Sequence, residues 1–182
     1  MTGRSLDGPQ LTVPVGERDH VEGDPSSPLT LLEYGDFECP QCGQAYPLVR
    51  ELRRRFGARL RFAFRHFPLT NVHPHAQRAA ETAEWAGSQQ AFWRMHDALY
   101  EDQAHLGDAA LLARARVLGL GQASLERAWA AYTYVPRIKE DFLGGIRSGV
   151  DGTPTFFING VRHDGPWDLE SLAAALSLQE PR

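Results

Sequence analysis

Apolar and polar positions follow two different periods along this chain, and the changes of period divide it into three parts. Leu29-Thr30-Leu31-Leu32-Glu33-Tyr34 is a nearly unbroken apolar run, stopped at Gly35-Asp36, and predicts a mostly buried strand. From Pro40 the spacing turns helical, with Leu48, Val49 and Leu52 on one face, and Gly57 ends the helix after Phe56. Arg61-Phe62-Ala63-Phe64-Arg65 alternates and predicts a second strand. A long helical stretch follows. One helix is expected from Pro74, a good first-turn residue, and a second after Ser88 as N-cap, with Phe92, Met95 and Leu99 on one face. A third follows Asp108 and stops at Gly119. A fourth carries Leu125, Trp129 and Tyr132, and a fifth spans Pro136 to Ser148, loosened by Gly144-Gly145.

The period then returns to two. Thr155-Phe156-Phe157-Ile158 and Val161-Arg162-His163 flank Asn159-Gly160, a strong two-residue hairpin signal, and Asp168 caps a last helix carrying Leu169, Leu172, Ala173 and Leu176. Before the first strong strand, Leu11-Thr12-Val13-Pro14-Val15 reads as a short edge strand, residues 22–28 as a turn-rich loop and residues 1–9 as a loose tail. The order is β-α-β, a helical block, then β-β-α. The outer pieces can pair into one mixed α/β sheet with the helices inserted between them, so the whole chain reads as a single domain.

Composition narrows the picture. With 42% hydrophobic and 23% charged residues in 182, a packed core is expected. The net charge of −4 gives no basic face and argues against nucleic acid as a partner. No apolar run is long enough to cross a membrane, and Met1 to Gln10 shows no apolar leader segment, so membrane insertion is not expected and a cytoplasmic location is.

The chemistry lies in the two cysteines, the only ones present, in Cys39-Pro40-Gln41-Cys42. Two cysteines cannot build a disulfide scaffold. Zinc would need further soft ligands; no other cysteine exists, and among the seven histidines none makes a spaced pair nearby, so no metal and no bound cofactor are expected. A thiol reacts as thiolate, and unpaired N–H groups at a helix N-terminus favour that anion. Pro40 places Cys39 at such an end. Cys42, one turn later on the same face, is in reach of it as the more buried, resolving thiol. Gln41 can donate only as a neutral group, so the Cys39 thiolate is expected to be less stabilised than with a histidine there.

Other positions carry two readings each. Glu33 is either a buried carboxyl that takes the proton of Cys42, or an outward residue at a sheet edge. Phe37 either forms an apolar rim for substrate or covers the sheet end. His66 either lines the groove or is a satisfied structural histidine. Gly152-Thr153-Pro154 is either a plain turn or a cis turn that presents the Thr153 backbone to an extended peptide. Trp85, Phe92, Trp93 and Trp129 are spaced as helix core, and Arg50, Arg53, Arg54 and Arg55 as an exposed face.

Taken together, Tyr34-Gly35-Asp36-Phe37-Glu38-Cys39-Pro40-Gln41-Cys42 and Gly149-Val150-Asp151-Gly152-Thr153-Pro154-Thr155-Phe156-Phe157-Ile158-Asn159-Gly160 resemble two segments of the DsbA-like branch of the thioredoxin superfamily. Arg65-His66-Phe67-Pro68-Leu69 and His73-Pro74-His75-Ala76 also resemble family stretches. The resemblance covers roughly residues 20–178. It implies a thioredoxin fold (core about 11–66 and 150–178) with a helical insertion at about 70–148. It further implies Cys39 as nucleophile, Cys42 as resolving thiol, a cis Pro154, an acid at Glu33, and a helix kink near Pro47. The implied activity is thiol–disulfide exchange with protein or peptide substrates, fed by a thiol redox partner. A cytosolic reductase, and a non-enzymatic sensing or partner-binding module, stand as alternatives. Cys42 argues against the detoxifying transferases of the same fold.

Overall fold

The computed structural model describes residues 8–180. The tail expected over residues 1–9 lies outside them except for Gly8 and Pro9. Five strands form one sheet: β1 (His20–Glu22), β2 (Leu29–Gly35), β3 (Leu60–His66), β4 (Thr155–Ile158) and β5 (Val161–Arg162), in the order β1-β3-β2-β4-β5. β2 runs parallel to β3 and antiparallel to β4, so the sheet is mixed. The helices are α1 (Pro40–Phe56), α2 (Ala76–Gly87), α3 (Phe92–Glu101), α4 (Asp108–Val117), α5 (Gln122–Ala130), α6 (Val135–Arg147) and α7 (Leu169–Ser177). This is a thioredoxin-like fold in which α2 to α6 form the insertion. No helix among the described residues is long and apolar enough to cross a membrane.

The sheet separates two cores. Leu29, Leu31, Phe62, Phe64, Phe156 and Ile158 join the inner faces of α1, α3 and α7 in the larger one. Leu32, Tyr34, Ala63 and Phe157 point the other way, towards Phe67 and Phe142. Period-two alternation thus does send successive residues of β2 to opposite faces, but both faces are covered, which is why the run reads as continuously apolar. The Asn159-Gly160 turn has φ of 49° and 84° at its two central residues, the left-handed pair that matches a two-residue hairpin to strand twist.

Several local expectations are corrected. Residues 11–15 form no strand. The carbonyls of Val13 and Pro14 accept from the Arg65 guanidinium (2.8 and 3.1 Å), which also pairs with Asp19, and the Thr12 N–H donates to Ser148 Oγ. With the Thr12 N–H and the Val13 and Pro14 carbonyls taken by side chains, and the Leu11 N–H given to the Gly160 carbonyl, the segment forms no ladder beside β3. The edge place beside β3 goes to His20–Glu22, whose single apolar residue gave no pattern. Ser88 closes α2 rather than opening α3: its hydroxyl donates back to the Trp85 carbonyl at 2.7 Å. Asp108 is the first residue of α4, after Gly107 at the cap. Tyr132 lies beyond α5 at φ 52°, exposed. Leu48 is only half-buried; Val49, Leu52, Ala45 and Tyr46 carry the inner face of α1. Gly144-Gly145 does not loosen α6. A Cβ on Gly145 would stand 2.8 Å from the Phe67 ring and 3.0 Å from Tyr34, so the missing side chain is what lets this helix sit against the sheet.

Candidate active site

Cys39 caps α1 in an extended conformation (φ −70°, ψ 120°), and Pro40 begins the helix. No side chain caps this end, so its N–H groups face the sulfur. Both cysteines are free thiols, with Cys42 fully buried and Cys39 nearly so. The Cys39 thiol donates to the Thr153 carbonyl at 3.4 Å, and the Thr153–Pro154 peptide bond is cis. The loop before β4 and the cysteine turn therefore meet over one spot, as the two separated sequence segments require. Pro40 and Gln41 lie on the exposed side of the turn.

The two sulfurs are driven apart in acidity. Hydrogen bonding from Cys42 lowers Cys39 to about 5 against the opposing effect of burial, with further help from the N–H groups of Cys42 and Gln41. Burial pushes Cys42 well up, and its bond to Cys39 and the nearby Glu33 add to this. One thiol is poised as an anion and its neighbour holds its proton.

Glu33 is buried in β2 between Phe64 of β3 and Phe156 of β4, so the outward reading is excluded. Burial, then the charge on Cys39, pushes its carboxyl up to about 8, and its Oε1 has no hydrogen-bond partner.

Two expected lining residues are elsewhere. Phe37 is buried and stacked on Phe64 with ring centroids 5.2 Å apart, so it seals the sheet end and offers no rim. His66 is also buried. Its Nε2 bonds Glu84 Oε1 at 2.8 Å and its backbone N–H donates to Asp141, which holds it away from any groove. Trp85, Phe92 and Trp129 are core as expected, and Trp93 packs on its margin.

Other residues shape the turn without a sequence signal. Buried Asp36 accepts from the Glu38 N–H with one oxygen, and from the Leu69 N–H and His73 Nδ1 with the other, each at 2.8 Å. Glu38 itself binds His75, both ring and backbone. From the insertion, Gln103 Nε2 donates to the Phe37 carbonyl at 2.8 Å and the Cys39 carbonyl at 3.0 Å, and its amide oxygen fills the space a Cβ on Gly43 would need. A shallow groove lined by Glu38, His75, Gln103, His105 and Leu106 opens beside this turn.

Comparison with known proteins agrees with this architecture. A family model described as Thioredoxin matches residues 16–177. Among solved structures, oxidised BdbD from Bacillus subtilis superposes with a TM-score of 0.84 at 18% identity, over 94% of this chain and 96% of that one. A thioredoxin-like oxidoreductase from Silicibacter pomeroyi gives 0.79 at 24% identity over 91% and 95%. Alpha-DsbA1 of Wolbachia pipientis gives 0.77 at 23% identity over 93% and 94%. Sequence relatives carry a different name. A protein of Salinispora arenicola called Na(+)/H(+) antiporter NhaA 1 is 51% identical over 92% of this chain, and one of Mycobacterium sp. (strain KMS) is 40% identical over 88%. The chain spans about a quarter of the length of these relatives (26% in each). By the family match over most of its length, the chain belongs to the thioredoxin family.

Proposed function

We propose that this chain is a thiol–disulfide oxidoreductase acting on protein or peptide substrates through Cys39 and Cys42. One observation carries the reading: an acidified cysteine at an uncapped helix N-terminus, hydrogen-bonded to its CxxC partner and facing the Thr153-Pro154 loop.

In the reducing direction the Cys39 thiolate attacks one sulfur of a substrate disulfide. A mixed disulfide forms and the other substrate sulfur leaves as thiolate. Cys42 then attacks Cys39 Sγ, frees the second substrate thiolate and leaves Cys39–Cys42 oxidised. Two electrons pass from the pair to the substrate. Cys42 must first lose its proton, and Glu33 is the acceptor. Once Cys39 is in the mixed disulfide its charge is gone, and with it one cause of Glu33's raised pKa. The carboxyl then gives its own proton to solvent more readily, and the carboxylate so formed takes the proton of Cys42. The oxidising direction reverses each step. The Thr153 backbone pairs with the substrate chain beside the scissile bond, as an added strand would.

The test is catalysis of insulin reduction by dithiothreitol. It should be abolished in Cys39→Ser, and unchanged activity in that variant would overturn the proposal. Titrating the Cys39–Cys42 pair against glutathione assigns direction: a low potential favours donation of electrons, a high one favours oxidation.

A second reading is supported by the 51% identity to part of a protein named for sodium/proton antiport. On this reading the thiol module serves such a transporter. A Cys42→Ser variant, which cannot resolve the mixed disulfide, should then trap an antiporter cysteine on Cys39. Trapped partners that include no antiporter peptide reject it.

A further inference from the structure

Among the described residues, one group of three could hold a metal ion: His20 in β1, His66 at the end of β3 and Glu84 in α2. It lies outside the cysteine turn and plays no part in the exchange steps above. Both imidazole Nε2 atoms approach the same carboxylate oxygen, Glu84 Oε1, at 2.8 Å each, and all three donor atoms lie within 4.8 Å of one another. The rings are held in place: His20 is stacked flat on Phe92 at 3.5 Å, and His66 is packed edge-on to Phe64 and Phe92. The three side chains are 20%, 1% and 8% exposed, so the group is buried on two sides and open past His20.

We propose that His20, His66 and Glu84 form a binding site for a zinc-type divalent ion that fastens the helical insertion to the sheet. Two imidazole nitrogens and one carboxylate oxygen are a borderline donor set, which suits Zn2+ and disfavours the oxygen-seeking Ca2+ and Mg2+. Ligands about 2.0–2.1 Å from a tetrahedral ion stand about 3.3 Å apart. The observed 2.8 Å contacts therefore have to open by only about half an ångström, and in the ion's absence hydrogen bonds keep the donors together. The fourth position faces the gap beside His20 and would take water. Two carboxylates serve this corner, Glu84 itself and Asp141, which accepts from the His66 backbone N–H and pairs with Arg137. The opposite nitrogen of His66, Nδ1, is buried without a partner. This ligand lacks the outer-shell acceptor that tightens most histidine sites, so the ion is held less firmly than in a fully buttressed centre.

The cysteines are competing zinc ligands, so the test removes them. Tag-free full-length protein carrying Cys39→Ser and Cys42→Ser is titrated with Zn2+ alone, and in parallel with Co2+. One equivalent should bind, the thermal midpoint should rise, and Co2+ should give the visible bands of a four-coordinate site. Adding His20→Phe, which keeps a flat ring over Phe92, should weaken Zn2+ binding by at least the roughly 10–100-fold typical of losing an outer-shell partner. Nitrogen NMR of the histidines needs no ligand substitution: Zn2+ should shift the Nε2 signals of His20 and His66 and leave His105 and His163 unmoved. Absence of binding in the cysteine-free protein, full affinity in folded His20→Phe, or shifts confined to other histidines would each overturn the proposal. None of these outcomes bears on thiol exchange, which the cysteine-free protein cannot perform.

Discussion

The Cys39 thiol donates to the carbonyl oxygen of Thr153 across 3.4 Å, although 114 residues separate them in the chain. All of α2 to α6 is spliced between these partners, yet β4 returns beside β2 in register, with Tyr34 opposite Thr155. The sheet thus brings the cysteine turn against the loop before β4, while the acidity of Cys39 is set chiefly by the hydrogen bond from Cys42.

Alkylation of the reduced protein should therefore begin at low pH, with a Cys39 midpoint near 5. A depressed pKa contributes stability that is present above the unfolded value, near 9, and lost as pH falls through about 5. The stability advantage of reduced protein over Cys39→Ser should widen between pH 5 and 9. Denaturant midpoints under reducing conditions check this; a gap that stays flat or narrows would contradict it.

Glu33 has the opposite sign. Its carboxyl is raised from 4.5 to about 8, so its contribution is whole below pH 4.5 and is lost as pH rises through 8. Glu33→Gln should be more stable than the parent by an amount that grows over that window to a few kcal/mol, on the order of 1.4 kcal/mol per pH unit at most. The same variant should slow resolution of the mixed disulfide by about tenfold or more at neutral pH. Thermal melts and single-turnover exchange measure the two halves. A variant that is both less stable and fully active would defeat the assignment.

Gln103 and Gly43 are coupled sterically. Gln103→Ala should cost about 1–2 kcal/mol by removing this donor from the Phe37 carbonyl and leaving the Cys39 carbonyl with the Gly43 N–H alone. Gly43→Ala alone should be destabilising because its methyl meets the Gln103 amide. The double variant should be more stable than the sum of the singles predicts, and a double-mutant cycle by urea melts tests this. Strict additivity would show that the amide yields freely.

Gly145→Ala should destabilise by about 1–3 kcal/mol through overpacking against Phe67 and Tyr34. Helix propensity alone predicts a gain of about 1 kcal/mol for that change, so the sign of the shift in thermal midpoint decides between packing and propensity.

The readable parts of this molecule are those governed by neighbours in sequence. Pro40 and the cap at Gly57 fixed both ends of α1, and Asn159-Gly160 fixed the hairpin. The covalent spacing of Cys39 and Cys42 brought the thiols together. Glu33 was half legible: a carboxylate in an apolar run stands out, but which way it faces depends on both neighbouring strands. The misreadings arise where a distant side chain satisfies the backbone, as Arg65 does for Val13 and Pro14. Asp36 and Gln103 act through contacts 33 to 66 residues away, and such contacts leave no periodic trace. His66 stands at a strand's end as a groove residue would, and only the position of Glu84 shows that it faces inward.

The two bonds from Gln103 give the insertion a hand on the helix end that acidifies Cys39. A protein that pries α3 and α4 outward while docking would unclasp the cysteine turn in the same movement. Contact far from sulfur would then register as a change in reactivity.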